Sequence, residues 1–214
     1  HWMRGGTYGW QAAEAGYISM SFTNALATVV PWGGTTATLG NNPLVIAVPR
    51  NEGHVVLDMA ISQFSFGKVF QYESYHEQLP VPGGYDSAGN LTQDPAAIIA
   101  SKRLLPIGFW KGSGLALVLD LLAAVLSQGR SVKQINERET ESGSSQVFIA
   151  IKPQDGRQTD GLIEEILNYT KSSEPIDADK PVVYPGENTL KTRNKNLKEG
   201  VLVDEKIWEE VKGL

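Results

Sequence analysis

Four places in the chain carry residue types able to do chemistry: His1 and Arg4 in "HWMRGG", Asp58 in "HVVLDMA", and Trp110-Lys111 in "FWKGSG". A histidine titrates near neutrality and can exchange a proton with a reacting oxygen, a contribution of ~10²- to 10⁴-fold when positioned. An arginine presents a planar fork to a carboxylate or phosphate. A carboxylate where a strand leaves an open α/β sheet either orients a ligand or caps a helix. Backbone N–H groups at a helix start, with Lys111 beside them, suit an anion. Each also has an ordinary reading: a frayed terminal histidine, a surface arginine, a capping aspartate, and a helix start packed on a strand. "GSG" lacks the third glycine of the dinucleotide fingerprint, and no Lys-Ser or Lys-Thr follows it as a Walker loop requires.

Other chemistries lack their residues. His54 and His76 have no partner at metal-ligand spacing, and H-x-x-x-H, G-x-S-x-G and cysteine are all missing. Zinc hydrolase, serine hydrolase and thiol mechanisms are therefore unsupported, and no metal is expected. A chain without cysteine fits a reducing compartment, so a cytoplasmic location is expected. With 19 basic and 24 acidic residues, net charge −5 and no basic stripe, nucleic acid is not an expected partner. The longest apolar stretch, "GLALVLDLLAAVLSQG", is interrupted by Asp120 and reads as short of the ~18 to 20 residues of a membrane span. "DSAGN" lacks the alternating acids and closing glutamate of an EF-hand and reads as a hairpin.

The elements that must position these residues alternate in type. Gln11 to Glu14 reads as a short helix stopped at Gly16. "YISMSFTNALATVV", "PLVIAVP" and "HVVLDMAIS" read as three strands within residues 17–62, with "PWGGTTATLGNNP" a loop between the first two. Residues 79–96 turn repeatedly before a helix capped at Asp94-Pro95. "GLALVLDLLAAVLSQG" is apolar on nearly all sides and reads as a central helix that organises the core. "SQVFIAIKP" reads as a buried strand, and "TDGLIEEILNYTKSS" as a helix with Leu162, Ile163, Ile166 and Leu167 on one face. A final helix is expected with Asp204 as N-cap, Ile207, Trp208 and Val211 buried, and Gly213 as the stop. The class is α/β or α+β with a mostly buried sheet, and at 214 residues and 41% hydrophobic content a sizeable core is available.

Taken in order, "HWMRGGTYGWQAAEAGYI", "TNALATVVPWGG", "LGNNPLVIAVP", "VVLDMAIS", "GGYDSAGNLTQDP" and "LPIGFWKGSGLALVLDLLAAVLS" resemble the malate/L-lactate dehydrogenase-like family of NAD(P)-dependent 2-oxo acid reductases. The resemblance covers the entire chain, and the "HWMRGG" form is similar to the family's sugar-acid reductases. It implies an α/β, non-Rossmann NAD-binding fold of the malate/L-lactate/sulfolactate dehydrogenase type, with a mostly buried mixed sheet flanked by helices. The implied division is a dinucleotide-binding core over residues 1–153 and a C-terminal helical segment over 154–214 packing back on it. The resemblance also implies a homodimer with the cofactor near the subunit interface. An N-terminal third carrying further active-site groups, a Ser-His pair and an arginine, is implied to precede His1.

Carried over position by position, the resemblance makes His1 the catalytic proton donor or acceptor and Arg4 a substrate contact. It lines the dinucleotide with His54, Val55, Val56, Leu57, Asp58, Met59 and Ala60, adds Trp110 and Lys111, and closes Gly186, Glu187 and Asn188 over it. The cofactor is expected to be NADH, with NADPH as the alternative, and the substrate a small sugar acid. The family's G-T-N-P turn is Gly40-Asn41-Asn42-Pro43 here, which keeps hydrogen-bonding capacity with altered geometry.

Overall fold

Alternation in "ISMSFT" builds the central strand. The computed structural model describes residues 2–138, 140, 142–153, 157–203 and 205–214, and in it β1 (Ile18–Thr23) lies between β4 (Leu44–Val48) and β8 (Gln146–Ile151). With β5 (Val55–Met59) outside β4, the sheet order is β5-β4-β1-β8, and β1 runs antiparallel to both neighbours. Ser19 and Ser21 pair with Ala47 and Val45, so these four small side chains share one face. Helix α1 (Gly6–Glu14) packs there, with Ala13 against Val45, Ala47 and Val56. The approach is close enough that a Cβ on Gly9 would stand 2.8 Å from Val45 Cγ1.

The opposite face presents Phe22 and Leu44 to Ala116, Leu119 and Ala123 of α4 (Trp110–Ser127). Ile61, Ile98 and Leu104, all fully buried, complete this core, each stabilising the fold by ~1.5 to 3 kcal/mol. Short strands β2 (Ala27–Val29) and β3 (Leu39–Gly40) pair beside it, as do β6 (Gly84–Tyr85) and β7 (Leu91–Thr92), the hairpin expected at "DSAGN". Helices α2 (Phe66–Ser74), α3 (Pro95–Ser101) and α5 (Val132–Asn136) fill the connections. Asp94 caps α3 through Ala96 N–H, with Pro95 in the first turn, as expected.

By contacts the chain forms two compact units, His1–Val48 with Val56–Pro153, and Pro49–Val55 with Gln154–Leu214. The second contains α6 (Arg157–Lys171), α7 (Glu187–Glu199) and α8 (Glu205–Lys212). Its organising residue is Arg50. The guanidinium donates to Glu164, to Tyr184 Oη at 3.0 Å and to Gly53 O at 3.2 Å, while Asn51 donates to Asp160 at 2.7 Å. The Arg50 and Lys171 cations stand 5.5 and 5.7 Å from the Tyr184 ring centroid.

Several expectations are corrected. Residues 17–62 hold five strands where three were expected, because the chain breaks after Thr23 and the Asn24 side chain bonds to distant segments. Helix α1 begins at Gly6, five residues before Gln11. β8 is an edge strand with Phe148 and Ile151 more than half exposed, so the sheet is buried at β1 and β4 and open at β8. Helix α4 is buried only along Gly112, Ala116, Leu119 and Ala123. Its other side leaves Leu117, Val118, Leu121, Leu122, Val125 and Leu126 exposed. At 18 residues and mean hydropathy 1.4, it is long and apolar enough to cross a membrane by composition, yet it forms one layer of this α/β unit. In α6 only Leu167 of the expected face is fully buried, and in α8 Trp208 and Val211 are exposed. Asp204 and the Ile207 side chain lie outside the described residues, as does His1.

Candidate active site

The site grows from the end of β5. Asp58 lies there with Met59 and Ala60 following, and all three line a cavity of about 810 Å³ in the first unit. Its other walls are the segment Trp2 to Gly5, the β1–β2 corner from Thr23 to Leu26, Asn41, the start of α2 from Ser65 to Gly67, and the loop from Ser142 to Ser144. Arg4 is thereby brought to the same cavity as Asp58. Met3 beside it has φ 60, a left-handed backbone that a side chain rarely adopts, and such strain is retained where surrounding structure over-determines it. Asp58 Oδ2 accepts the Gly6 N–H at 2.7 Å, so this carboxylate caps α1, the capping role that residue type had left open.

The polar rim is held by Thr23, Asn24 and Ser65, to which no motif points, and by the Gly40-Asn41-Asn42-Pro43 turn. Asn24, 1% exposed, donates to Asp120 at 2.7 Å and to Arg130 O at 2.6 Å, and accepts from Ser145 N at 2.8 Å. Thr23 Oγ1 donates to Ser145 O at 3.0 Å. Asn41 Oδ1 accepts from Ser62 Oγ at 2.7 Å, and Asn42 bonds Ala25 N and Ala116 O at 3.1 and 2.8 Å. Asn42 is fully buried at φ 34, so Gly40-Asn41-Asn42-Pro43 is a stapled turn. The available signal was the asparagine pair before a proline. Ser65 Oγ accepts from Lys68 N at 3.2 Å and starts α2 at the cavity edge.

The remaining expected residues fall elsewhere. Val56 is 5% exposed in the core against α1, and its side chain packs there. Leu57 is half-buried on the same strand, while His54 and Val55 group with the second unit, where His54 Nδ1 accepts from Arg50 N at 3.1 Å. Trp110 and Lys111 open α4 outside the cavity lining, with Lys111 Nζ 5.9 Å from the Trp110 ring centroid. Beside them Trp32 and Phe109 pack at 4.9 Å. Gly186, Glu187 and Asn188 begin α7 in the second unit. Glu187 is an ion-pair centre there, accepting from Lys191 at 2.9 Å, Lys171 at 3.1 Å and Tyr184 N at 3.4 Å. The Lys191 hydrogen bond, helped by Lys171 and the Tyr184 N–H against partial burial, holds its carboxyl below the usual range.

The cavity volume falls within the ~300 to 1,000 Å³ of small-molecule and cofactor sites. Met59, Ala60, Leu26 and Phe66 supply apolar walls for flat rings, and Arg4 a cation for an acid, so the residues present fit a nicotinamide dinucleotide with a small carboxylate. No group of three metal-ligating side chains occurs among the described residues.

Known proteins share this fold. The chain is 41% identical to 2,3-diketo-L-gulonate reductase of Citrobacter koseri, the match covering 100% of this chain and 65% of that protein. Sulfolactate dehydrogenase from Methanocaldococcus jannaschii superposes with TM-score 0.84 at 28% identity, over 98% of this chain and 62% of that one. Malate dehydrogenase from Pyrococcus horikoshii OT3 gives TM-score 0.84 at 27% identity, over 100% and 61%. The chain thus spans just under two thirds of the relatives it matches, and its mixed α/β fold is theirs. A family model described as malate/L-lactate dehydrogenase matches residues 1–212, and the chain belongs to that family of oxidoreductases.

Proposed function

We propose that the polypeptide carrying this chain is an NADH-dependent reductase that converts 2,3-diketo-L-gulonate to 3-dehydro-L-gulonate. The observation that carries the reading is the single cavity in which Arg4 meets the β5 end, Asp58 to Ala60. The 41% identity to a protein named for this substrate supports the choice within the family. Bound NADH supplies the hydride that reduces a carbonyl. The chain's own residues do the rest: Arg4 binds the substrate carboxylate with a charged fork, and His1 exchanges the proton at the C2 oxygen. The end of β5, Asp58 to Ala60, lines the dinucleotide, and Lys111 with Trp110 supplies a charge toward it, with NADPH as the alternative cofactor. The enzyme works in the cytoplasm as at least a dimer.

A second reading, a malate- or lactate-type 2-hydroxy acid dehydrogenase, is supported by the likeness to malate dehydrogenase of P. horikoshii. Comparing NADH oxidation with 2,3-diketo-L-gulonate, oxaloacetate and pyruvate separates the two. A kcat/KM highest for the sugar acid supports the first reading, and one highest for oxaloacetate or pyruvate the second. NADH binding without oxidation by any of them overturns both.

A further inference from the structure

Helix α1 starts without local help. Its N-cap is Gly5, which has no side chain to cap with, and its first turn contains no acidic residue. The missing acceptor comes from 52 positions away, where Asp58 Oδ2 takes the Gly6 N–H at 2.7 Å. A carboxylate at the positive end of a helix makes a charge-assisted bond, stronger than a neutral one. The seat is built for it. A Cβ on Gly6 would lie 2.9 Å from Asp58 Oδ2 and 3.2 Å from Asp58 Cβ, and one on Gly5 would lie 2.9 Å from Val45 Cγ2. "RGG" therefore lets the chain lie directly on the strands of the sheet, and Arg4, next before that seat, lines the same cavity as Asp58.

We infer that Asp58 is a positioning residue for substrate: it clamps the segment bearing Arg4 to the end of β5, so that a 2-oxo acid's carboxylate meets Arg4 beside the cofactor strand. The inference rests on the reading of Arg4 as the carboxylate contact. The carboxyl group of Asp58 is engaged by α1, so its loss falls on the acid subsite more than on the dinucleotide.

The test uses the full polypeptide with oxamate, a carboxylate of this shape that is not reduced, so that turnover is not needed. Oxamate affinity in the presence of NADH, NADH affinity, and hydrogen exchange over residues 5–10 are measured for wild type, Asp58→Ala and Asp58→Asn. Asp58→Ala weakens oxamate about tenfold or more, weakens NADH by less, and speeds exchange at the start of α1. Asp58→Asn, which keeps an oxygen acceptor, falls between Asp58→Ala and wild type. Should Asp58→Ala fail to fold, an Asp58→Asn protein with wild-type oxamate affinity overturns the inference. So do unchanged exchange, faster exchange with unchanged oxamate affinity, an NADH loss at least as large as the oxamate loss, and a wild type that binds no oxamate. A wild type that binds oxamate yet reduces no 2-oxo acid refutes the proposed reaction and leaves this inference to be decided by the binding data.

Discussion

Asn24 and Asp120 are joined by a 2.7 Å hydrogen bond across 96 positions of sequence, and Asp120 is the one acidic residue in the apolar helix α4. The same carboxylate oxygen accepts the Val132 N–H at 2.9 Å, at the start of α5. One charge thus ties together the β1–β2 corner of the cavity, α4 and α5. Asp120→Ala leaves these part-buried donors short of an acceptor, at a cost of about 2 kcal/mol. For a chain of this size that lowers Tm by roughly 4 to 8 °C. In a double-mutant cycle with Asn24→Ala the losses should be less than additive. An unchanged melting curve for Asp120→Ala would remove the corner from the parts that hold the site.

The exposed aliphatic stripe of α4, including Leu121 and Val125, is the surface we propose for the interface of the proposed dimer. Val125 is 70% exposed, so Val125→Glu should shift sedimentation from dimer to monomer while Tm changes little. A wild-type protein that sediments as monomer at micromolar concentration contradicts the oligomer and counts against a cofactor site near a subunit interface.

Lys111 places a charge at the start of α4, over the Trp110 ring. In the full polypeptide Lys111→Ala should raise KM for NADH by about tenfold or more and change KM for the keto acid less, because a point charge toward a dinucleotide phosphate supplies ground-state binding. Equal NADH dependence in mutant and wild type would assign Lys111 a packing role only.

Acid should loosen the second unit at α7. Glu187 is held below the ordinary glutamate range, first by Lys191 and then by Lys171 and the Tyr184 N–H. A depressed folded-state pKa means that its contribution is complete above the unfolded value of ~4.3 and is lost as pH falls through the folded value. Helicity followed by circular dichroism should therefore decline below about pH 4 in wild type. Glu187→Gln should show a smaller dependence over that window, and identical acid profiles would show that Glu187 is not the titrating group.

How far residue pattern reaches is set by where the partners lie. Asp94 caps α3 from two residues away, and β4 is bounded by its own prolines, so both were evident from local sequence. The start of α1 was not, because Asp58 supplies its acceptor across the sheet. The break after Thr23 was missed for the same reason: Asn24 bonds to Asp120, Arg130 and Ser145. Composition showed that α4 is apolar, but an unpartnered side and a packed side have the same composition. The strand bearing Asp58 was found from alternation, whereas the roles of His1 and Arg4 came from family resemblance, since neither residue has a local pattern that distinguishes it from a surface side chain. Helix α7 has no buried residue and no apolar stripe to announce it, and its first turn is organised by the ion pairs of Glu187.

In the proposed reaction hydride passes from NADH to the C2 carbonyl of a sugar acid bound beside β5. The decisive experiment incubates the full polypeptide with 2,3-diketo-L-gulonate and NADH carrying deuterium in both C4 positions, quenches early, and locates the label in the product. The expected product is 3-dehydro-L-gulonate with deuterium on C2, formed in step with NADH oxidation. Deuterium on a carbon other than C2, or no product while NADH remains bound, refutes the reaction.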